Sequence, residues 1–190
     1  PFNPPALERL ERQPKVAILY TTMNDVVSEC IRAIHQTYPC DVFILDDSSD
    51  PLKRQTVDRL AAEMGFQVIR RPERHSFKAG AINNWLRAHG SAYDYLVLLD
   101  ADSVLPQDWV AHALRYADHP DNADIAIFQG MVNIWNTDHP FPGALAPAHV
   151  VSQDEWERKL AGYLGTVVCY GHNVLIRVAP LLEIGGFDER

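Results

Sequence analysis

The segment "YLVLLDADS" ends an apolar run with two carboxylates, Asp100 and Asp102, at alternate positions. In an extended chain alternate side chains share a face, so both acids would point the same way and grip one cation. Oxygen ligands suit a hard divalent ion, Mg2+ or Mn2+. Two further strand-like runs end in similar residues: "VAILYTT" leads to Asn24 and Asp25, and "CDVFIL" to Asp46 and Asp47. Acids converging on one rim repel unless a cation or hydrogen-bond donors sit among them. Two carboxylates leave most of an octahedral shell open, and such ions fill it with water and phosphate oxygens, so a diphosphate is the expected ligand. Lys78, in "KAGAIN" just before a helix start, would supply positive charge, and Gly80 would permit close backbone approach.

Each residue also has a plainer reading. Asp100 and Asp102 suit a turn or a helix cap, Asp46 and Asp47 suit capping of the helix that follows, and Lys78 suits a solvated helix flank. His172 is read equally well as a hydrogen-bonded structural histidine. The tryptophans read as packing residues, with Trp135 beside a loop the one that would suit sugar stacking.

The elements that must position these groups alternate. "VAILYTT" reads as strand and "NDVVSECIRAIHQTYP" as helix. "CDVFILDD" follows as strand, "SSDPLKRQTVDRLAAEMG" as a helix capped by Ser or Asp and closed by Gly65, and "FQVIRR" as strand. "SFKAGAINNWLRAHG" reads as a loop feeding a helix stopped by Gly90, and "YDYLVLLD" as the most apolar strand. "PQDWVAHALRYADHP" reads as a helix begun by Pro106. This is the pattern of a doubly wound α/β fold, a Rossmann-like, mostly parallel sheet with helices on both faces. Ligands of such sheets bind at the carboxyl ends of the strands, where the three acid-bearing runs end. Beyond Asp124 the order changes. "IAIFQGMVNIW" reads as strand with a glycine bulge or turn, "HPFPGALAPAH" as a proline-broken loop, and "SQDEWERKLAGYL" as a helix capped by Ser152. "TVVCYGHNVLIRV" then reads as one or two strands and "APLLEIGGF" as a short helix ended by Gly185 and Gly186.

Bulk properties narrow the class. A net charge of −8 argues against nucleic acid as a partner. The three cysteines, Cys30, Cys40 and Cys169, are widely spaced, which suggests neither a disulfide framework nor a zinc site and fits a reducing, cytoplasmic setting. The longest uncharged run, "LAGYLGTVVCYGHNVLI", is broken by Gly, His and Asn and is too short to span a membrane. Residues 1–14 read as a proline-rich lead with a short polar helix, and residues 15–190 as one domain. Both ends read as cut, with no initiator Met and a stop just after a glycine turn.

Five motifs in order carry a resemblance: "TTMND", "ILDDSSD", "KAGAIN", "LDADS" and "GHNVLIRVAPLLEIGGFDE". Together they resemble glycosyltransferase family 2, with the GT-A fold, over nearly the whole chain. "KAGAIN" and "GHNVLIR" are most similar to the processive, membrane-associated branch, which includes cellulose synthase-like enzymes and glucan glucosyltransferases. The resemblance implies a nucleotide-sugar donor, a glycan or lipid acceptor, and a place at the cytoplasmic face of the inner membrane through segments absent from this chain. It implies that Thr22, Asn24 and Asp25 touch the nucleotide, that Asp47, with Asp46, holds uracil, and that Lys78 approaches the diphosphate. Asp100 stands for the acid near ribose and metal, Asp102 for the metal ligand proper, and Gly171, His172 and Asn173 for the donor-sugar or acceptor side.

One departure matters. Inverting members carry their general base some residues beyond the "GGF" turn, so the base is expected beyond Arg190, together with the aromatic segment of processive members. No catalytic residue is therefore assigned within the chain, which reads as the donor-binding part of an inverting hexosyltransferase. Two alternatives stay open: a nucleotide-sugar-binding module without transfer activity, and a haloacid-dehalogenase-like phosphatase, for which "LLDADSV" is also a suitable nucleophile motif.

Overall fold

The structure, a computed structural model, describes residues 5–134 and 137–189. Its strands are β1 (Val16–Thr22), β2 (Cys40–Asp46), β3 (Gln67–Ile69), β4 (Tyr95–Leu99), β5 (Ile127–Gln129) and β6 (Val174–Arg177). They form one sheet in the order β3-β2-β1-β4-β6-β5. The first four run parallel, and β6 pairs antiparallel with both β4 and β5. The mostly parallel α/β expectation is met, and the strand order reverses between β1 and β4.

Because helices cover both faces, β4 is buried at every position, and successive residues feed opposite cores. On one face Ile18, Tyr20, Val97 and Leu99 pack with Ile31, Leu60 and Leu114. On the other, Leu19, Leu96 and Leu98 pack with Ile82, Trp85 and Ile176. The helices are α1 (Ser28–Arg32), α2 (Pro51–Met64), α3 (Phe77–His89), α4 (Trp109–Ala117), α5 (Pro140–Val151), α6 (Arg158–Leu164) and α7 (Val178–Glu183). Helix α2 starts as its sequence implies. The Asp50 carboxylate accepts from the Leu52 N–H at 2.8 Å, Pro51 is the first helical residue, and Gly65 closes the helix at φ 72°.

Several sequence expectations need correction. Helix α1 is five residues long, because buried Gln36 accepts from the Val110 N–H and donates to the Pro106 carbonyl, drawing the chain toward α4. Helix α4 begins at Trp109, with Pro106 in the preceding turn. The stop at Gly90 holds, since α3 ends at His89, and Gly90 itself is right-handed and opens a short 3-10 turn. The lead holds no helix over the described residues 5–14 and is pinned instead by Arg12 on Asp118 and Asp94.

The largest difference is the segment read as a proline-broken loop, which is helix α5. Pro140 and Pro142 both fall in its first turn, where backbone N–H groups have no intrahelical acceptor, so only Pro147 removes a bond. Ser152 is not a cap. It continues α5 into a π-helical turn, Ser152–Glu157, which runs on into α6. Strand β5 stops at Gln129, and of the segment around Gly171 only Val174–Arg177 forms strand. Trp135 lies outside the described residues. Among the described residues no helix is long and apolar enough to cross a membrane.

Candidate functional site

At the carboxyl ends of β2, β1 and β4 a cleft of about 420 Å3 is lined by Thr21, Thr22, Asp25, Asp47, Arg74, Phe77, Lys78, Asp100 and Asp102, among others. It lies at the point where the strand order reverses, as the sheet topology requires. Six of the sequence-derived site residues therefore meet in one place: Thr22, Asp25, Asp47, Lys78, Asp100 and Asp102.

Asp100 and Asp102 share this cleft for a reason other than strand alternation. Strand β4 ends at Leu99, and Asp100–Ser103 is a turn closed by the Ser103 N–H on the Asp100 carbonyl at 3.0 Å. The buried Tyr20 hydroxyl fastens the turn by donating to the Ala101 carbonyl at 2.7 Å. Burial pushes the ionisation of that hydroxyl up, so it keeps its proton for the bond. Lys78, in the first turn of α3, donates to Asp100 Oδ1 and, at 2.6 Å, to the carbonyl of Gly171. The Gly171 loop is thus tied to the acidic turn by one ammonium group.

At the other end, Asp47 follows β2 and carries Arg71 on both oxygens. Arg74 stands 3.6 Å from the same carboxylate and stacks over the Phe77 ring at 5.1 Å. Between the two ends, Asp25 organises the loop after β1, accepting from the Thr22 hydroxyl at 2.8 Å and the Met23 N–H at 2.7 Å.

The other candidates lie off the cleft lining. Asp46, fully buried, accepts from Arg70 and from the Ser48 N–H, so it organises the turn into α2. Asn24, at φ 64°, accepts from the Ser49 and Asp50 N–H groups and staples the β1 and β2 loops together. Gly80 approaches protein rather than ligand. A Cβ there would lie 2.2 Å from the His75 carbonyl oxygen and 2.5 Å from Arg71 Nη1. Gly80→Ala is accordingly expected to destabilise the chain by about 2 kcal/mol through overpacking, read as a lower urea midpoint at unchanged m-value. His172 and Asn173 lead into β6, and His172 Nδ1 and Asn173 Oδ1 are buried without a hydrogen-bond partner among the described residues.

Arg71, Arg74 and Phe77 were missed from the sequence. The signal was present in "VIRRPERHSF", since β3 pairs in parallel register with β2 and Leu45 faces Ile69. Carrying that register forward sets Asp46 against Arg70 and Asp47 against Arg71, as the ion pairs show.

The donor set is compatible with a hard cation. Asp100 and Asp102 present only oxygen, and the described residues contain no group of three or more His, Cys, Asp or Glu side chains able to hold a metal by themselves. An ion held there would complete its shell with water and a ligand's phosphate oxygens.

Comparison with known proteins bears on the family and the fold. Glucans biosynthesis glucosyltransferase H of Escherichia coli (strain K12) is 28% identical to this chain over 93% of it. The protein of the same name from Nitrosomonas europaea is 30% identical over 82%. The chain spans only 23% and 19% of the lengths of these two relatives. Among solved structures, the mannosyltransferase PcManGT from Pyrobaculum calidifontis, in complex with GDP-Man and Mn2+, superposes with a TM-score of 0.70 at 22% identity. That match covers all of this chain and 51% of the other. S. aureus TarS 1-349 superposes with a TM-score of 0.57 at 13% identity, over 93% of this chain and 51% of that one. The fold is GT-A. The sequence itself matches Glycosyl transferase family 2 over residues 16–185, from the first residue of β1 to the glycine turn after α7, and the chain belongs to that family.

Proposed function

We propose that this chain is the donor-binding part of an inverting glycosyltransferase that moves a sugar from a UDP-linked donor to a glycan or lipid acceptor. The observation that carries the reading is the single cleft joining Asp47 and Arg74 at the end of β2 to Asp100, Asp102 and Lys78 at the end of β4. A nucleoside diphosphate needs those two chemistries at its two ends, a hydrogen-bonding seat for the base and a charged seat for the phosphates.

In this reading the Asp47 end seats the base and the loop organised by Asp25 borders the ribose. Asp100 and Asp102 would hold Mg2+ or Mn2+, and that ion, when bound, would offset charge growing on the departing diphosphate. Lys78, already between Asp100 and the Gly171 carbonyl, holds a positive charge beside the same phosphates. Its bond to Gly171 also fixes the loop of Gly171, His172 and Asn173 on the sugar side, so the anomeric carbon is presented in one orientation. The chain's share of catalysis is thus positioning and leaving-group stabilisation. The relatives named as glucan glucosyltransferases support a glucan as acceptor.

Calorimetric titration of UDP into the chain, with and without Mn2+, tests this. Binding that requires Mn2+ and leaves AMP unbound is the expected result. A folded chain that binds no nucleoside diphosphate under either condition would overturn the reading.

A further inference from the structure

Arg71 lies behind Asp47, off the cleft lining, with its side chain only 4% exposed. Nε reaches Asp47 Oδ1 at 2.9 Å and Nη2 reaches Asp47 Oδ2 at 2.5 Å. Nη1 donates to the His75 carbonyl at 2.6 Å, and Nη2 also donates to the Phe77 carbonyl at 2.8 Å. A guanidinium fork on a carboxylate takes the two parallel lone pairs, one on each oxygen. Asp47 then has one further lone pair per oxygen, and these diverge.

We propose that Arg71 is a positioning residue that sets base specificity: by gripping Asp47 with both arms, it leaves a carboxylate that accepts one ring N–H and cannot accept the paired N–H groups of guanine. The inference rests on the nucleoside diphosphate reading of this cleft and deepens it. Uracil presents a single N–H between two carbonyls. Cytosine and adenine present a ring nitrogen lone pair at the equivalent edge, which a carboxylate repels. Guanine presents a ring N–H and an amino group side by side, the same two-donor edge as a guanidinium, and Arg71 already fills that place. Arg74, which lines the cleft beside Asp47, offers donors to the carbonyls that flank the uracil N–H. The grips on His75 and Phe77 prevent Arg71 from swinging aside, and the absent side chain of Gly80 leaves it room.

The test is calorimetric titration of UDP and GDP, each with Mn2+, into the native chain, Arg71→Lys and Arg71→Gln, with folding checked by near-ultraviolet circular dichroism. The native chain is expected to prefer UDP, and both variants, which end in one nitrogen in place of the rigid two-nitrogen fork and so let the carboxylate turn, are expected to narrow that preference by about tenfold, the worth of one hydrogen bond to a charged group. If Arg71→Gln does not fold, Arg71→Lys, which keeps the positive charge, carries the comparison. Equal weakening of both nucleotides, with the ratio unchanged, would show Arg71 to be merely structural and would overturn the proposal. A native chain that binds GDP as tightly as UDP would overturn it while leaving the cleft a nucleotide site. Failure of a folded native chain to bind either nucleotide would overturn the cleft reading and the proposal together.

Discussion

Replacing Asp100 and Asp102 together by asparagine is expected to abolish Mn2+-dependent binding of UDP, weakening it by about a hundredfold or more. Each carboxylate contributes a charge-assisted contact worth roughly 1.5–3 kcal/mol, and asparagine keeps the shape while removing the charge. The fold should survive. The ion pair between Lys78 and Asp100 is about one-third exposed on both sides, so its loss costs about 1 kcal/mol or less. Calorimetry with and without Mn2+, beside a thermal melt, separates the two effects. Near-native binding by the double variant would show that the acidic turn is a structural turn alone, and a large fall in melting temperature would show that its charges stabilise the fold.

Trp85→Ala is expected to be the most damaging single change to the fold, costing about 4 kcal/mol and lowering the melting temperature by about 10 °C for a chain of this size. The Trp85 ring is fully buried and packs edge-on to Phe43 at 5.4 Å and against Tyr93 at 5.4 Å. It bolts α3 to the sheet, and α3 carries Lys78, so nucleotide binding should fall along with stability. Trp85→Phe is the informative control. The indole N–H is buried without a partner among the described residues, so phenylalanine removes an unsatisfied donor while leaving a smaller void. It should cost less than about 1.5 kcal/mol. A Phe variant as unstable as the Ala variant would show that the size of the ring, rather than its anchoring contact, is what matters.

The legibility of this chain varied with the kind of signal. Strands β1 and β4, and β2 from Phe43 onward, were plain because both faces are buried, which forces apolar runs that need no knowledge of neighbours. Helix α2 was plain because its caps are local chemistry, a side chain bonding a backbone two residues on and a glycine at positive φ. Helix α5 was not, because Pro140 and Pro142 count against helix until their positions in the first turn are known, and Pro147 sits inside it. Helix α1 was overextended because its end is set by Gln36, which bonds to residues some seventy positions away.

The sequence by itself determined that apolar runs end in acids, that a lysine precedes a helix among them, and that the order of motifs is that of glycosyltransferase family 2. These are properties of types and spacing along one chain. Only the tertiary structure decided which acids meet. Adjacent residues on an extended strand point to opposite faces, so of Asp46 and Asp47 one had to turn away, and the pairing of β2 with β3 gave Asp46 to Arg70 and Asp47 to Arg71. It likewise turned Gly80 from a ligand-facing residue into the space that Arg71 occupies. The physical reason is range. Periodicity and capping act over a few bonds and are written into neighbours, whereas the partner of a charge is fixed by strand register across the sheet, which only the folded chain possesses.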